Sequence, residues 1–388
     1  MSASTLGAYD VKDYGATGNG TTNDQPAIQS AINDAQSAGG GTIFFPPGTY
    51  QIDAGLTVSG SNIHFWGLGY LQTTLQTGFA SGDAITLAGP SGISWHENFS
   101  IRGLRIGAKA VHTQGACLRM TKVINVTVAD CRFNSFHKFA ELGSSSVAND
   151  VQQIYIEGCR IDQASADHCI NLLSGAICVI RDCFFNGNAT ETADRSLISQ
   201  SNTNNNWDGL VVEGCTVENW PRFILVTGHG IVNARVIGNL VEPDLTRGAI
   251  VLFPTSDCAK WTIASNTFTC EGADSFGIRL DHGDGGQTYA VAITGNVISY
   301  AGDRGIDVRG DSRDISVVGN VLRGCGATGR PALTIDGGSA ISVTGNTIDP
   351  AGTNMQFGIE WAGASTPSRS QAGNGIIPGT LGTVAGSP

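Results

Sequence analysis

The phrase VIGNLV at Val236–Val241 returns as IASNTF at Ile263–Phe268, ITGNVI at Ile293–Ile298, VVGNVL at Val317–Leu322 and VTGNTI at Val343–Ile348. Each copy holds an aliphatic residue, a spacer, a small residue, Asn, a spacer and a second apolar residue. Upstream the phrase carries Cys in place of Asn: VADCRF from Val128, IEGCRI from Ile156, IRDCFF from Ile180 and VEGCTV from Val212. One earlier copy, IRGLRI from Ile101, carries Leu104. Successive markers stand 24 to 32 residues apart. A repeat of that length, too short to fold alone, marks a solenoid or a propeller.

What fills each period decides between them. A second phrase recurs as FGIRL (Phe276–Leu280), RGIDV (Arg304–Val308), PALTI (Pro331–Ile335) and FGIEW (Phe357–Trp361), with earlier versions GAIVL from Gly248 and RFILV from Arg222. Apolar residues alternate with outward ones, and Gly, Asn, Asp or Ser punctuate the ends, which reads as short strands. No helix-length amphipathic segment fits a period, and a propeller blade needs about 40 residues. The sequence therefore predicts an all-β right-handed parallel β-helix of roughly 10–12 coils, about three short strands to a coil, with a core at least about 45 Å long. The markers then stack. Cys131, Cys159, Cys183 and Cys215, followed by Asn239, Asn266, Asn296, Asn320 and Asn346, form ladders whose amides satisfy one another and the turning backbone. The Cys belong to separate coils rather than CxxC pairs, so a packing ladder is expected and no metal site.

Composition narrows the partners. A net charge of −11 without a basic run speaks against nucleic acid, and no segment approaches membrane-spanning length. The first residues, MSASTLGAYD, have no apolar h-region, so no classical signal peptide is expected. Export would use assembly into a virion, a removed leader or release on lysis. The ten Cys read as buried free thiols rather than a disulfide framework.

Asn23 or Asp24 precedes apolar residues at Ala27, Ile28, Ala31, Ile32 and Ala35, and Gly39-Gly40-Gly41 follows, which predicts a short amphipathic helix. Strands at Thr42–Phe45 and Thr49–Ile52 flank a Pro46-Pro47-Gly48 turn. The helix is the natural plug for the open end of a solenoid. The expected organisation is a capping segment over residues 1–55, the β-helix over 56–363 and a Gly/Ser/Pro-rich tail over 364–388, read as a flexible end in preference to a strap onto a neighbouring subunit.

The segment VKDYGATGNGTTNDQPAIQSAINDAQSAGGGTIFFPPGTYQI, residues 11–52, resembles the N-terminal signature of the pectate-lyase-like superfamily, closest to phage tailspike and polysaccharide depolymerase members. The resemblance implies a right-handed parallel β-helix, a homotrimer, a polysaccharide partner and an extracellular or virion-associated setting. Its members include hydrolases, lyases, epimerases and fructotransferases, so it identifies scaffold rather than reaction.

Period-2 alternation fixes which side chains leave the coils. One outward column reads Ser199, Leu225, Val251, Arg279, Asp307, Thr334, Glu360, and the next reads Ser201, Thr227, Phe253, Asp281, Arg309, Asp336, Ala362. The early coils are neutral there and the late coils charged. His282, Asp284, Asp303, Arg304, Asp311 and Arg313 add to the concentration, in a chain only 14% charged. Matched positions two coils apart are about 9.6 Å apart at the backbone, and inverting glycosidases hold their carboxyls about 6.5–9.5 Å apart. Asp281 and Asp336, with Arg309 between them, and Asp307 and Glu360 are thus the candidate catalytic residues. Arg279 and His282 are candidate substrate contacts. Trp207, Trp220 and Phe253, with Trp95, are candidate aromatic platforms, whereas Trp361 and Trp66 are expected to cap the core. An alternating ion-pair ladder on a solvated face is the competing reading of the charges.

Three further candidates stand apart. Asp167-His168 opens a strand. Gly228-His229-Gly230, with Asp208 upstream and Arg279 downstream, resembles the tripeptide of polygalacturonase-type hydrolases, although their paired-Asp motif is not found at the expected spacing. Glu141, beside His137 and Lys138, marks an alternative groove. The favoured function is inverting hydrolysis of a bacterial surface or environmental polysaccharide without a cofactor. A lyase acting by β-elimination on a uronate polymer is the alternative; Arg279 and Arg309 would serve it, a divalent cation such as Ca2+ would accompany it, and the acidic balance disfavours its polyanionic substrate. A non-catalytic glycan-binding spike is the third.

Overall fold

The computed structural model describes residues 7–89, 95–148, 150–162, 168–187, 195–242, 246–282, 285–327, 329–363, 369–377 and 382–386. Asp167 and Asp284 lie outside the described residues. The chain divides into two compact units, residues 1–188 and 189–388. Both are parallel β-solenoids, with about 12 coils in all.

Unit 1 begins with the strand Ala8–Asp10, which pairs in parallel with Gly41–Phe45. Between them lies the helix Gln25–Ser37, which buries Ile28, Ala31, Ile32 and Ala35. Pro26 sits in its first turn, where a missing N–H costs nothing. Asp24 does not cap the helix with its side chain. Its buried carboxylate instead accepts from Thr17 N at 2.7 Å, Thr17 Oγ1 at 3.1 Å and Gly18 N at 3.0 Å, pinning the loop that precedes the helix. Each coil then supplies three strands. Val123–Ala129, Arg132–Asn134 and Lys138–Leu142 make one coil, and Val151–Glu157, Arg160–Asp162 and Ile170–Leu172 the next. The register puts Val126 on Ile154, Phe133 on Ile161 and Ala140 on Ile170. Trp66 does not cap the core. It lies in the outward column of Phe44 and Arg102, is 55% exposed, and meets the edge of Phe44 at 6.1 Å.

Unit 2 repeats the plan from Trp207–Glu213, Thr216–Glu218 and Arg222–Val226 onward. In its late coils the third strand of one coil runs into the first strand of the next, giving the long strands Arg304–Val318 and Leu333–Thr344. Their pairing shifts register between Gly310 and Arg313. The segment after Gly363 is not simply a flexible end: Arg369–Ala372 pairs with Ile341–Thr344, Gly375–Ile376 with Thr347–Ile348, and Gly382–Ala385 with the strand Phe357–Ala362. Trp361 is buried at an inward position, and its Nε1 donates to Gln371 Oε1 at 3.2 Å.

The marker residues form the expected ladders. In unit 2, Asn266 Oδ1 accepts from Asn239 N at 3.0 Å and from Asn239 Nδ2 at 2.9 Å, and the motif repeats through Asn296, Asn320 and Asn346. Asn374 adds a further rung. Cys215 enters the ladder from above, its N–H donating to Asn239 Oδ1 at 3.0 Å. In unit 1 the thiols of Cys131, Cys159 and Cys183 donate to backbone carbonyls. All ten Cys are buried free thiols. No described helix is long and apolar enough to cross a membrane.

Candidate functional site

The late coils of unit 2 bring Arg279, Asp307, Thr334 and Glu360 into one column, and Arg309, Asp336 and Ala362 into the next. Alternation thus places the backbone as expected, but the side chains organise themselves differently. Arg309 does not stand between Asp281 and Asp336. It turns along its own strand, and its Nε lies 2.7 Å from Asp307 Oδ2. Residues i and i+2 share a strand face, so a long guanidinium reaches the carboxylate two positions back.

Asp307 is the hub. It is fully buried, and beside Arg309 it has Arg304 Nε at 3.8 Å and Arg279 Nε at 3.9 Å. Burial raises its carboxyl above the ordinary value, while Arg309, Arg304 and Arg279 pull it down. Arg304 is held in turn by Asp303 at 2.8 Å and by Thr334 Oγ1 at 2.9 Å. Arg279 lies over the Phe276 ring at 4.9 Å. One buried carboxylate therefore fixes three partly exposed guanidiniums.

Asp281, 6% exposed, is clamped through Oδ2 by Arg279 Nη2 at 2.6 Å and Nε at 3.1 Å. Its Oδ1 accepts the backbone N–H of His282 at 2.9 Å and stands 3.6 Å from His282 Nδ1. The imidazole is 40% exposed. It rests against Gly310, where a Cβ would fall 1.9 Å from Nδ1. The result is a half-exposed histidine beside the guanidiniums, its backbone N–H held by Asp281 and its ring seated on Gly310.

The other expected members differ. Asp336 is exposed and Glu360 half-buried, and neither pairs with a cation among the described residues. Neither two-coil pair therefore presents two open carboxylates across a gap. Trp207 and Trp220 are 0% and 1% exposed, so neither can offer a ring face to a sugar; the Trp207 indole donates to Gly209 O within the fold. Phe253 is 42% exposed, and Trp95 is half-buried. Gly228-His229-Gly230 is a tight turn. A Cβ at Gly228 would meet Asn202 O at 2.3 Å, and one at Gly230 would meet Asp257 O at 1.9 Å. The backbone N–H of His229 donates to Asn202 O at 2.6 Å, and that of Gly228 donates to Gln200 O at 3.1 Å, which fixes the same turn.

In unit 1, Glu141 is buried and pairs with Arg119 and, at 2.9 Å, with Lys138 Nζ, while Arg119 Nε also meets Asp83 at 2.5 Å. This closed network leaves neither carboxylate open. His168 is half-buried. Among the described residues no group of three or more His, Cys, Asp or Glu is arranged to hold a metal ion. The role of Gly310 escapes the sequence reading, because it comes from a contact between coils.

Comparison with known proteins agrees with this architecture. The mannuronan C5-epimerase AlgE6 of Azotobacter vinelandii is 36% identical over 113 residues, covering 27% of this chain and 13% of that protein. Alginate lyase 7 of the same organism is 34% identical over 115 residues, covering 28% and 13%. The chain thus spans a small part of the length of these relatives. The tailspike protein 3 of bacteriophage CBA120 shares the fold, with a TM-score of 0.58, 14% identity, and coverage of 97% of this chain and 63% of that one. The family described as rhamnogalacturonase A/epimerase, pectate lyase-like, matches residues 8–222, more than half of the sequence. The chain belongs to that pectate-lyase-like family.

Proposed function

We propose that this chain is a polysaccharide-modifying enzyme that acts on a uronate-containing polymer by removing the proton at C5 of a uronate residue. The observation that carries the reading is the convergence of Arg279, Arg304 and Arg309 on buried Asp307, next to the Asp281–His282 pair. Guanidiniums fixed in this way suit a sugar carboxylate, which they bind bidentately and whose developing charge they stabilise. His282 is the base, with Asp281 holding its backbone N–H. It takes the C5 proton, and the electron pair left behind moves into the carboxylate under the arginines. Return of that pair toward C4 expels the C4 oxygen, which takes up the proton from the His282 imidazolium or from water, and leaves a C4–C5 double bond, which is β-elimination. The names of the relatives, a mannuronan epimerase and an alginate lyase, support a uronate polymer as substrate.

A second reading, inverting hydrolysis, draws on the raised carboxyl of Asp307. Asp307 would be the acid and Asp281 the base. Burial beneath Arg309 makes it the weaker of the two, because Arg309 must move before Asp307 can reach a glycosidic oxygen. Incubation with polymannuronate and with polygalacturonate tests the choice. Ultraviolet absorbance from an unsaturated end supports elimination, new reducing ends without that absorbance support hydrolysis, and no change in either polymer sinks both. Trimeric assembly and an extracellular or virion-bound setting belong to the same proposal, prompted by the tailspike-like fold, and sedimentation velocity checks the first.

A further inference from the structure

In unit 1 the residue after the coil marker is Arg in three consecutive copies: Arg105, Arg132 and Arg160. The register stacks them, Arg105 on Arg132 and Arg132 on Arg160, on the outer face of the short second strand. Neighbouring strands are about 4.8 Å apart, and like charges at matched positions repel. The fold does not require them. The same column in unit 2 runs through Leu240, Thr267, Val297 and Val321, without charge.

The first arginine of the column differs from the two below it. Arg132 and Arg160 meet on the carboxylate of Asp162, at 2.9 and 3.0 Å. Arg105 donates from Nε to the neutral Asn134 Oδ1 at 3.0 Å and has no carboxylate partner among the described residues. Gly107 faces Asn134 in the adjoining outward column, and a Cβ there would stand 2.7 Å from Asn134 Oδ1. The space that a side chain at 107 would take is filled by the Asn134 amide, which is thereby held against Arg105.

We propose that this arginine column is a second binding face, for a linear carboxylated polysaccharide, using none of the residues of the late-coil site. A guanidinium fork matches a carboxylate in geometry. The coil rise of about 4.8 Å is close to the length of one sugar ring, so a polymer carboxylate on Arg105 brings the chain over Arg132, where it competes with Asp162 for the guanidinium. The Asn134 amide, which accepts from Arg105 Nε at 3.0 Å and donates to Ser135 Oγ at 3.1 Å, holds the guanidinium in place. The aromatic ring of the column, Phe184, stacks on Arg160 in register and is already covered by it at 4.4 Å, which leaves it closed to a nucleic-acid base. The face holds the polymer and breaks no bond. It stands on the column's own geometry, whatever reaction the late coils perform.

Calorimetric titration of the full chain with polymannuronate oligomers tests this, in an Asp281→Asn background to stop turnover, with neutral dextran oligomers and duplex DNA as comparisons. Two binding events are expected. Arg105→Gln with Arg132→Gln should weaken one of them about tenfold or more and flatten its salt dependence. Should the double variant fail to fold, Arg105→Gln alone serves, since it breaks no described ion pair. A single event abolished by these substitutions supports the column and counts against the late-coil reading. Substitutions that leave every binding event at its wild-type affinity, no binding at all, equal binding of dextran or preference for DNA overturn the column.

Discussion

The imidazole of His282 occupies the space that a side chain at position 310 would need: a Cβ on Gly310 would stand 1.9 Å from Nδ1. Gly310 also has φ +59°, a conformation that costs an L-residue about 1–2 kcal/mol. Both facts make glycine a requirement of the site. Gly310→Ala is expected to displace the ring from Asp281 and lower kcat at least about tenfold, at a stability cost of about 1–2 kcal/mol. Turnover assays and the histidine signals in NMR spectra check the two effects separately.

Asp307 should reveal itself through pH. Burial raises its carboxyl from the ordinary value of 3.8. A carboxyl raised on folding contributes stability that is fully present below its unfolded value and is lost as pH rises through its folded value. Asp307→Asn cannot ionise and should lack this loss. The stability difference between wild type and variant in urea titrations should therefore shift against the wild type as pH rises above 3.8. Asp307→Ala, which takes from Arg309 its carboxylate while Arg279 keeps Asp281 and Arg304 keeps Asp303, should cost about 1–3 kcal/mol at neutral pH.

Asn296 is buried at 0% exposure. Its Nδ2 donates to Ile263 O at 2.8 Å and to Asn320 Oδ1 at 2.9 Å, and its Oδ1 accepts from Asn266. Asn296→Ala orphans these groups in a dry corner, where each costs about 1–3 kcal/mol. Denaturant melts should show a loss of about 3 kcal/mol or more with the late-coil chemistry unchanged. Equal stability would contradict the ladder.

The contrast between Asn296 and Asp307 shows where a sequence speaks. The Asn ladder is legible because one residue type recurs at one point of each coil, and the helix Gln25–Ser37 because its apolar spacing ends at three glycines. The columns of the late coils follow from the same period. What alternation cannot give is side-chain reach. Arg309 satisfies Asp307 on its own strand instead of spanning coils, so the outward Asp307 ends fully buried beneath its partners. Trp207 and Trp220 mislead for a related reason, because they stand near coil ends where inward and outward are not set by the period. The arginine column is visible in the phrases themselves, in the position beside the markers, yet only the register shows that its members stack.

The thiols give a test of packing. Burial pushes Cys178, Cys258 and Cys325 up to about 12, and all ten Cys are buried. At pH 8 a thiol reagent should label none of them in the native protein and all of them in guanidinium. Rapid labelling of the native protein would show that the coils open.

If His282 takes a proton from C5 of a uronate residue, exchange of that proton with solvent reports the step itself. Wild type and His282→Gln are incubated with polymannuronate in D2O, and NMR follows deuterium at C5 together with unsaturated ends. The wild type is expected to generate unsaturated ends or C5 deuterium, and His282→Gln, folded as the wild type, to lose both. A His282→Gln protein that retains either signal, or a wild type that cuts the polymer with neither, would contradict the assignment of His282 as the base.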